Sequence, residues 1–171
     1  MRRGENHDQA RIMKFAPTRN QALAWTAFQA FNEGAFLIYA GQESENTHTP
    51  SLFDIDKVDW GNYRLQPFLT RLCQIKKRAE VSHGCFHILT ATPTISAIWQ
   101  AGEKGLFGIF NVAGTGGTIP TPLADGDYTD LVSGQVVSIT QGKASIPETA
   151  VILSYWGEID RDKHTQPPLM L

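Results

Sequence analysis

Residues 5–12 read ENHDQARI, and the first four set Glu5, Asn6, His7 and Asp8 side by side. All four side chains can hydrogen-bond, and Glu, His and Asp can each titrate or ligate a metal. Such a run suits general acid–base work or the binding of a polar substrate, provided a rigid element holds the loop. Only MRRG stands before it in this chain. The plain structural alternative is a solvated loop or a helix N-terminus at which Asn6 or Asp8 caps.

Three further groups of residues raise chemistry. His83, Cys85 and His87 alternate, so an extended backbone would put them on one face. Alternate strand residues are about 6.6 Å apart. That is wide for three ligands of one tetrahedral ion, so strand-end packing is the expectation and no metal is assigned. GTGG at 114–117 has the composition of a phosphate loop, but Pro120 and Pro122 follow it. No helix N-terminus is then available to receive an anion, and the stretch is expected to be a turn. Trp99, Tyr128, Tyr155 and Trp156 could form a sugar-stacking platform, although aromatics at strand positions more often pack in a core.

Composition limits the function classes. The chain has 171 residues, 42% of them hydrophobic and 19% charged, with a formal net charge of −2. That length can bury a real core. The charge balance leaves no footprint for nucleic acid, and the single basic cluster, KKR at 76–78, ends an expected helix where cations suit the helix dipole. No apolar run approaches the roughly 18 residues of a membrane span, and MRRGENHDQA has no apolar signal-peptide core. Two cysteines make no disulfide framework. Free thiols in a cytoplasmic protein are the expectation, with no partner in nucleic acid or membrane.

The elements that must position these residues change character near residue 82. QALAWTAFQAFNEG places Leu23, Ala24, Ala27, Phe28 and Phe31 on one helical face, with Gly34 set as a C-terminal cap. AFLIYAG is a short apolar run of the kind found in strands buried on both faces. A long polar loop follows, QESENTHTPSLFDIDKVDWGNY. Then RLQPFLTRLCQIKKRAE aligns Leu65, Phe68, Leu69, Leu72 and Ile75. From Cys85 the period becomes that of strands, expected near 85–91, 95–100, 105–112, 117–121, 127–132, 135–140, 142–147 and 150–156. GEKG, GTGG, ADGD, SGQ and QGK supply the turns. Short strands at this spacing predict an antiparallel sandwich or barrel.

One apolar strand with two amphipathic helices cannot cover its own hydrophobic surfaces. Residues 1–82 are therefore expected to be the closing part of a larger α/β body, 84–156 a β-sandwich, and 157–171 a loose tail.

The order of motifs resembles the α-amylase superfamily, glycoside hydrolase family 13. ENHDQAR resembles the family's seventh-strand motif around an N-H-D core. NQALAWTAFQAFNEGAFLIYAGQE is similar to the seventh barrel helix leading into the eighth strand, TPSLFDIDKVDW to the loop after it, and FLTRLCQIKKR to the eighth helix. LADGDYTDLVSGQVVSITQGKASIPETAVILSYW resembles the last strands of the C-terminal β-sandwich. The resemblance implies the C-terminal end of a (β/α)8 TIM barrel followed by that sandwich.

It also implies roles for residues. Retaining glycosidases use a nucleophile and a general acid/base around an oxocarbenium-like transition state. The family adds a third carboxylate on the seventh strand, and Asp8 occupies that position as transition-state stabiliser. His7 matches the histidine that binds the sugar in the cleaved subsite, and Asn6 stands with it as a substrate-binding residue. The nucleophile and the general acid belong to the fourth and fifth strands, for which this chain has no counterpart. Glu43, in GQE, is expected to order its loop.

The chain alone is thus expected to be inactive, as a portion of a longer enzyme or a degenerate reading frame. The parent would cleave α-glucosidic bonds in starch or maltodextrins. No cofactor is expected from these residues; full-length relatives can hold calcium, but no site for it is identified here. The implied partners are an α-glucan, the missing barrel portion or a second copy of the chain. The other class of function is a non-catalytic carbohydrate-binding or interaction module built on the sandwich.

Overall fold

A computed structural model describes residues 3–160 of the chain. Its first half is helical. A single turn, α1 (Ile12–Phe15), leads into α2 (Arg19–Phe31). Thr18 starts α2 because its Oγ1 accepts the Gln21 N–H at 3.2 Å, satisfying a backbone donor that the first helical turn leaves open. All five expected apolar positions are buried, and so are Ala22, Thr26 and Ala30. The small side chains bring neighbouring elements close to the helix on most of its circumference. Gly34 does take a left-handed φ of 80°, three residues past the helix end.

The AFLIYAG run forms no strand, and no strand occurs anywhere before Cys85 among the described residues. A strand needs a ladder of hydrogen bonds to a neighbour, and in this run only Phe36 makes an isolated β-bridge. Phe36, Leu37 and Tyr39 are half-buried and Ile38 is exposed. A tight 3-10 turn (Gln42–Ser44) follows, then the long loop, α3 (Gln66–Lys76) and α4 (Ala79–His83). On α3 the expected stripe is buried at Leu69, Leu72 and Ile75, with Leu65 just before the helix, and half-buried at Phe68.

The second half contains all eight expected strands: β1 (Cys85–Thr90), β2 (Ile95–Ala101), β3 (Lys104–Phe110), β4 (Thr118–Pro120), β5 (Gly126–Thr129), β6 (Val136–Ile139), β7 (Lys143–Ser145) and β8 (Ala150–Trp156). An antiparallel sheet of order β1-β2-β3-β8 is accompanied by the two-stranded pairs β4-β7 and β5-β6. At QGK, Gln141 and Gly142 both have positive φ, 54° and 66°. That is the type I′ geometry matching the twist of a tight hairpin.

The four-stranded sheet is buried on both faces. Ile98, Phe107, Ile109, Val151, Leu153 and Tyr155 pack against Ile119, Leu123, Ile139 and Ala144 of the small sheets and their loops. On the other face Ala97, Trp99, Leu106, Phe110 and Ile152 pack against Phe28, Phe31, Leu72, Ile75 and Val81 from the helices. A Cβ at Gly108 would lie 2.5 Å from the Phe110 ring and 3.3 Å from Phe31, so this close approach requires glycine. The sandwich shares one core with the helices before it. The tail expected from 157 lies, from residue 161 onward, outside the described residues.

Candidate functional site

Glu5 and Arg11 face each other inside the protein, each about 1% exposed. Arg11 Nη1 donates to Glu5 Oε1 at 2.8 Å, and Glu5 Oε2 accepts the Ile12 N–H at 2.8 Å. The guanidinium also donates to the carbonyls of Ala40 (2.8 Å) and His48 (2.9 Å), and it lies 4.5 Å from the Tyr39 ring centroid. A buried charge is tolerated when it is paired and hydrogen-bonded. Through Nε and Nη1, Arg11 is both, and in doing so it ties the 5–12 loop to residues 39–48.

The loop tip follows from Asn6. This residue is buried, and its Oδ1 accepts the Asp8 N–H at 3.1 Å while its carbonyl accepts the Gln9 N–H at 3.4 Å. The resulting turn presents His7 and Asp8 outward, with side chains 63% and 60% exposed and His7 Nε2 3.2 Å from Asp8 Oδ2. The structure therefore divides the four adjacent polar residues. Glu5 and Asn6 build the support; His7 and Asp8 are available to a ligand. An exposed carboxylate beside an imidazole can receive and donate hydrogen bonds to hydroxyl groups.

The second segment is held by its own side chains. Glu43 Oε2 accepts the Gly41 N–H at 3.0 Å, and the Glu43 carbonyl accepts the Leu65 N–H at 2.8 Å, so this carboxylate orders its loop as expected. Buried Gln42 accepts the Tyr39 N–H through Oε1 (3.3 Å), while its Nε2 has no partner among the described residues. Further along, His48 Nε2 lies 2.8 Å from Asp56 Oδ2, which also accepts the Ser51 N–H at 2.8 Å. The His48 contact first, and the Ser51 amide second, hold the Asp56 carboxyl below its ordinary range.

Sequence reasoning passed over Glu5 and Arg11 as organisers. The available signal was an opposite-charge pair flanking the polar run, but their burial depends on Tyr39, Ala40 and His48, which are distant in sequence.

The other candidate groups disperse. His83 belongs to α4 and bonds Ser82 Oγ through Nδ1 at 2.9 Å, whereas Cys85 and His87 lie on β1. Among the described residues no three His, Cys, Asp or Glu side chains gather as a metal site. Trp99 and Tyr155 are buried on opposite faces of the large sheet, so they form no shared platform. Burial pushes the Tyr155 phenol above its ordinary range. Trp156 is exposed, with Lys104 Nζ 5.2 Å from its ring centroid. Among the described residues no helix is long and apolar enough to cross a membrane.

Residues 86–153 match the family model of the bacterial alpha amylase C-terminal domain. No curated protein matches the sequence. Among solved structures, an alpha-amylase from Lactobacillus plantarum superposes with a TM-score of 0.82 at 26% identity, covering 91% of this chain and 38% of that one. A noncanonic maltogenic alpha-amylase from Thermotoga neapolitana gives 0.77 at 22% identity, covering 92% and 41%. An Anoxybacillus alpha-amylase gives 0.69 at 17%, covering 91% and 38%, and these last two likenesses bear on the fold alone. The chain thus spans about two fifths of the length of the structures it resembles.

Proposed function

We propose that the chain forms the C-terminal part of an α-amylase-type glycoside hydrolase, since residues 86–153 match the bacterial alpha amylase C-terminal domain and the fold resembles an alpha-amylase over 91% of the chain. In this reading the enzyme cleaves α-glucosidic bonds of starch or maltodextrins by retaining hydrolysis. Helices α2 and α3, with the AFLIYAG run, close a (β/α)8 barrel whose other strands lie outside this sequence. Asp8 stabilises the positively charged transition state. His7 binds a sugar hydroxyl, and Asn6, which shapes the tip, offers its Nδ2 to the same substrate.

The observation that carries this reading is the presentation of His7 and Asp8 on a turn whose base is locked by the buried Glu5–Arg11 pair. Rigid support is what a transition-state-stabilising group needs, because a donor or charge that must reorganise during the reaction loses its advantage. Two carboxyl groups for nucleophile and acid must come from the remainder of the barrel. The chain alone should then leave maltoheptaose intact. Mixing it with a polypeptide carrying the first six barrel strands should restore cleavage, and Asp8→Asn should abolish that restored activity. Equal activity with Asp8→Asn would sink the assignment.

A further inference from the structure

A groove of about 320 Å³ runs along the seam between the helices and the β-domain. Leu23 of α2, Pro67 and Phe68 of α3, Val132 in the β5–β6 turn and Ala150 at the start of β8 give it apolar walls. The size suits a small molecule, and seams between packed units are where such sites gather. No residue of the His7–Asp8 loop lines it.

The walls are fixed in place. Phe68 packs against the core shared with the sheet and also against the smaller cluster of Leu23, Leu65 and Leu69. The Val132 wall is pinned by the buried carboxylate of Asp130. Its Oδ1 accepts the N–H groups of Val132 (3.1 Å) and Ile152 (2.9 Å). Its Oδ2 accepts the Ser133 N–H (2.8 Å) and hydroxyl (2.6 Å). The Thr149 carbonyl accepts the Asn111 N–H at 2.8 Å, which holds the segment leading into β8. The groove is therefore preformed.

The lining chemistry selects the ligand. Arg71 is its one charged side chain, and it follows Pro67 and Phe68 by four and three residues, on the same face of α3. Arg71 is exposed, and among the described residues its guanidinium makes no hydrogen bond or ion pair; the Thr149 hydroxyl is likewise unengaged. Asp130, behind the Val132 wall, has both oxygens bonded to donors. An apolar trough with one unpaired cation fits an apolar body that carries one anionic head. A carboxylate matches the planar guanidinium fork. A sugar would instead press unpaired hydroxyls against Leu23, Phe68 and Val132. We propose that this groove binds a medium-chain alkyl carboxylate, its chain along Leu23, Phe68 and Val132 and its head on Arg71 and the Thr149 hydroxyl.

Titration of the whole chain with sodium octanoate, followed by backbone amide NMR, tests this directly. Saturable shifts are expected at Phe68, Arg71, Val132, Ser133 and Thr149. His7, Asp8 and the exposed apolar residues Phe53 and Ile55 should stay unmoved. Decanoate should bind about tenfold more tightly than octanoate, the scale of two further buried methylenes. Arg71→Gln should weaken octanoate binding by about tenfold, the scale of one lost charge-assisted hydrogen bond, while uncharged octanol binds as before. Arg71→Lys should retain most of the octanoate affinity. Arg71 is exposed, so the spectra of its variants should otherwise superpose. Asp8→Asn should leave the titration unchanged, which separates this proposal from the catalytic reading. The absence of saturable shifts, equal shifts at Phe53 and Ile55, tighter binding of inorganic phosphate to the same amides, or octanoate affinity unaltered by Arg71→Gln would each overturn it.

Discussion

The indole Nε1 of Trp99 donates to the carbonyl of Phe31 at 2.6 Å, so a strand of the β-domain closes the C-terminal end of the long helix before it. Lys76 adds to the same corner, donating to the Asn32 carbonyl with its ammonium 6.0 Å from the Trp99 ring centroid. Helix ends leave carbonyls unpaired, and here their partners come from another helix and from the sheet. The two halves of the chain are therefore joined by hydrogen bonds as well as by apolar contact.

Removing that junction should be costly. Trp99→Ala deletes a large buried ring together with the donor, and a loss of about 3–5 kcal/mol is expected. A polypeptide limited to residues 84–160 should bind a hydrophobic dye, since Ala97, Trp99, Leu106, Phe110 and Ile152 lose their helical cover. Chemical denaturation of the first variant and dye binding by the second polypeptide check the two outcomes. A monomeric, dye-silent 84–160 domain would contradict the shared core.

The buried ion pair makes a second prediction. Glu5→Ala should destabilise the chain by about 3–5 kcal/mol, because Arg11 would remain buried without its counter-charge. His7→Ala and Asp8→Ala, both at exposed positions, should each change stability by no more than about 0.5 kcal/mol. Urea midpoints of the three variants distinguish the support from the presented groups. A large loss at Asp8 would mean that it too is structural.

Gly108 offers a test of packing. Adding one methyl by Gly108→Ala forces the Phe110 ring or α2 to move, at a cost of about 1–3 kcal/mol. The same change at Gly116, where nothing lies within 4 Å of the added atom, should be nearly neutral. Thermal unfolding of both variants would show the contrast.

Asp125 sets a pH dependence. Its carboxylate accepts the N–H groups of Gly142 (2.8 Å) and Gln141 (2.7 Å), and these bonds hold its pKa below the ordinary aspartate range. A depressed folded-state pKa stabilises the fold above the unfolded-state value, and that contribution disappears as pH falls through the lower folded value. The β6–β7 turn should therefore loosen on acidification, read as lower protection factors for the amides of Gln141 and Gly142, that is, exchange closer to the intrinsic rate at each pH. Asp125→Asn should remove the pH dependence of that protection over the carboxylate range.

Much of this architecture was legible in the residues. Turn pairs such as Gln141–Gly142 specify backbone geometry locally, so all eight strands could be placed. The stripe on α2 identified its buried face for the same reason: helical periodicity is a local property. The AFLIYAG run shows where local reading ends. Its composition suits a buried strand, but a strand also needs a continuous ladder with a neighbour, and here the pairing stops at a single bridge residue, Phe36. In the candidate site, the polar run and its family resemblance singled out Asn6, His7 and Asp8. Neither could show that Glu5 faces inward.

The sequence by itself determined the strand and helix periods, the turns, and the chemical identity of the residues at the loop tip. Tertiary structure decided which of them are buried, and it set α2, α3 and α4 against the sheet face opposite β4–β7. It also decided that Glu5 pairs with Arg11 while Asp8, three residues away from Glu5, points to solvent. The physical reason is that hydrogen-bonded turns form between near neighbours. Burial of a charge depends instead on partners such as Ala40 and His48, which only the folded chain brings within reach.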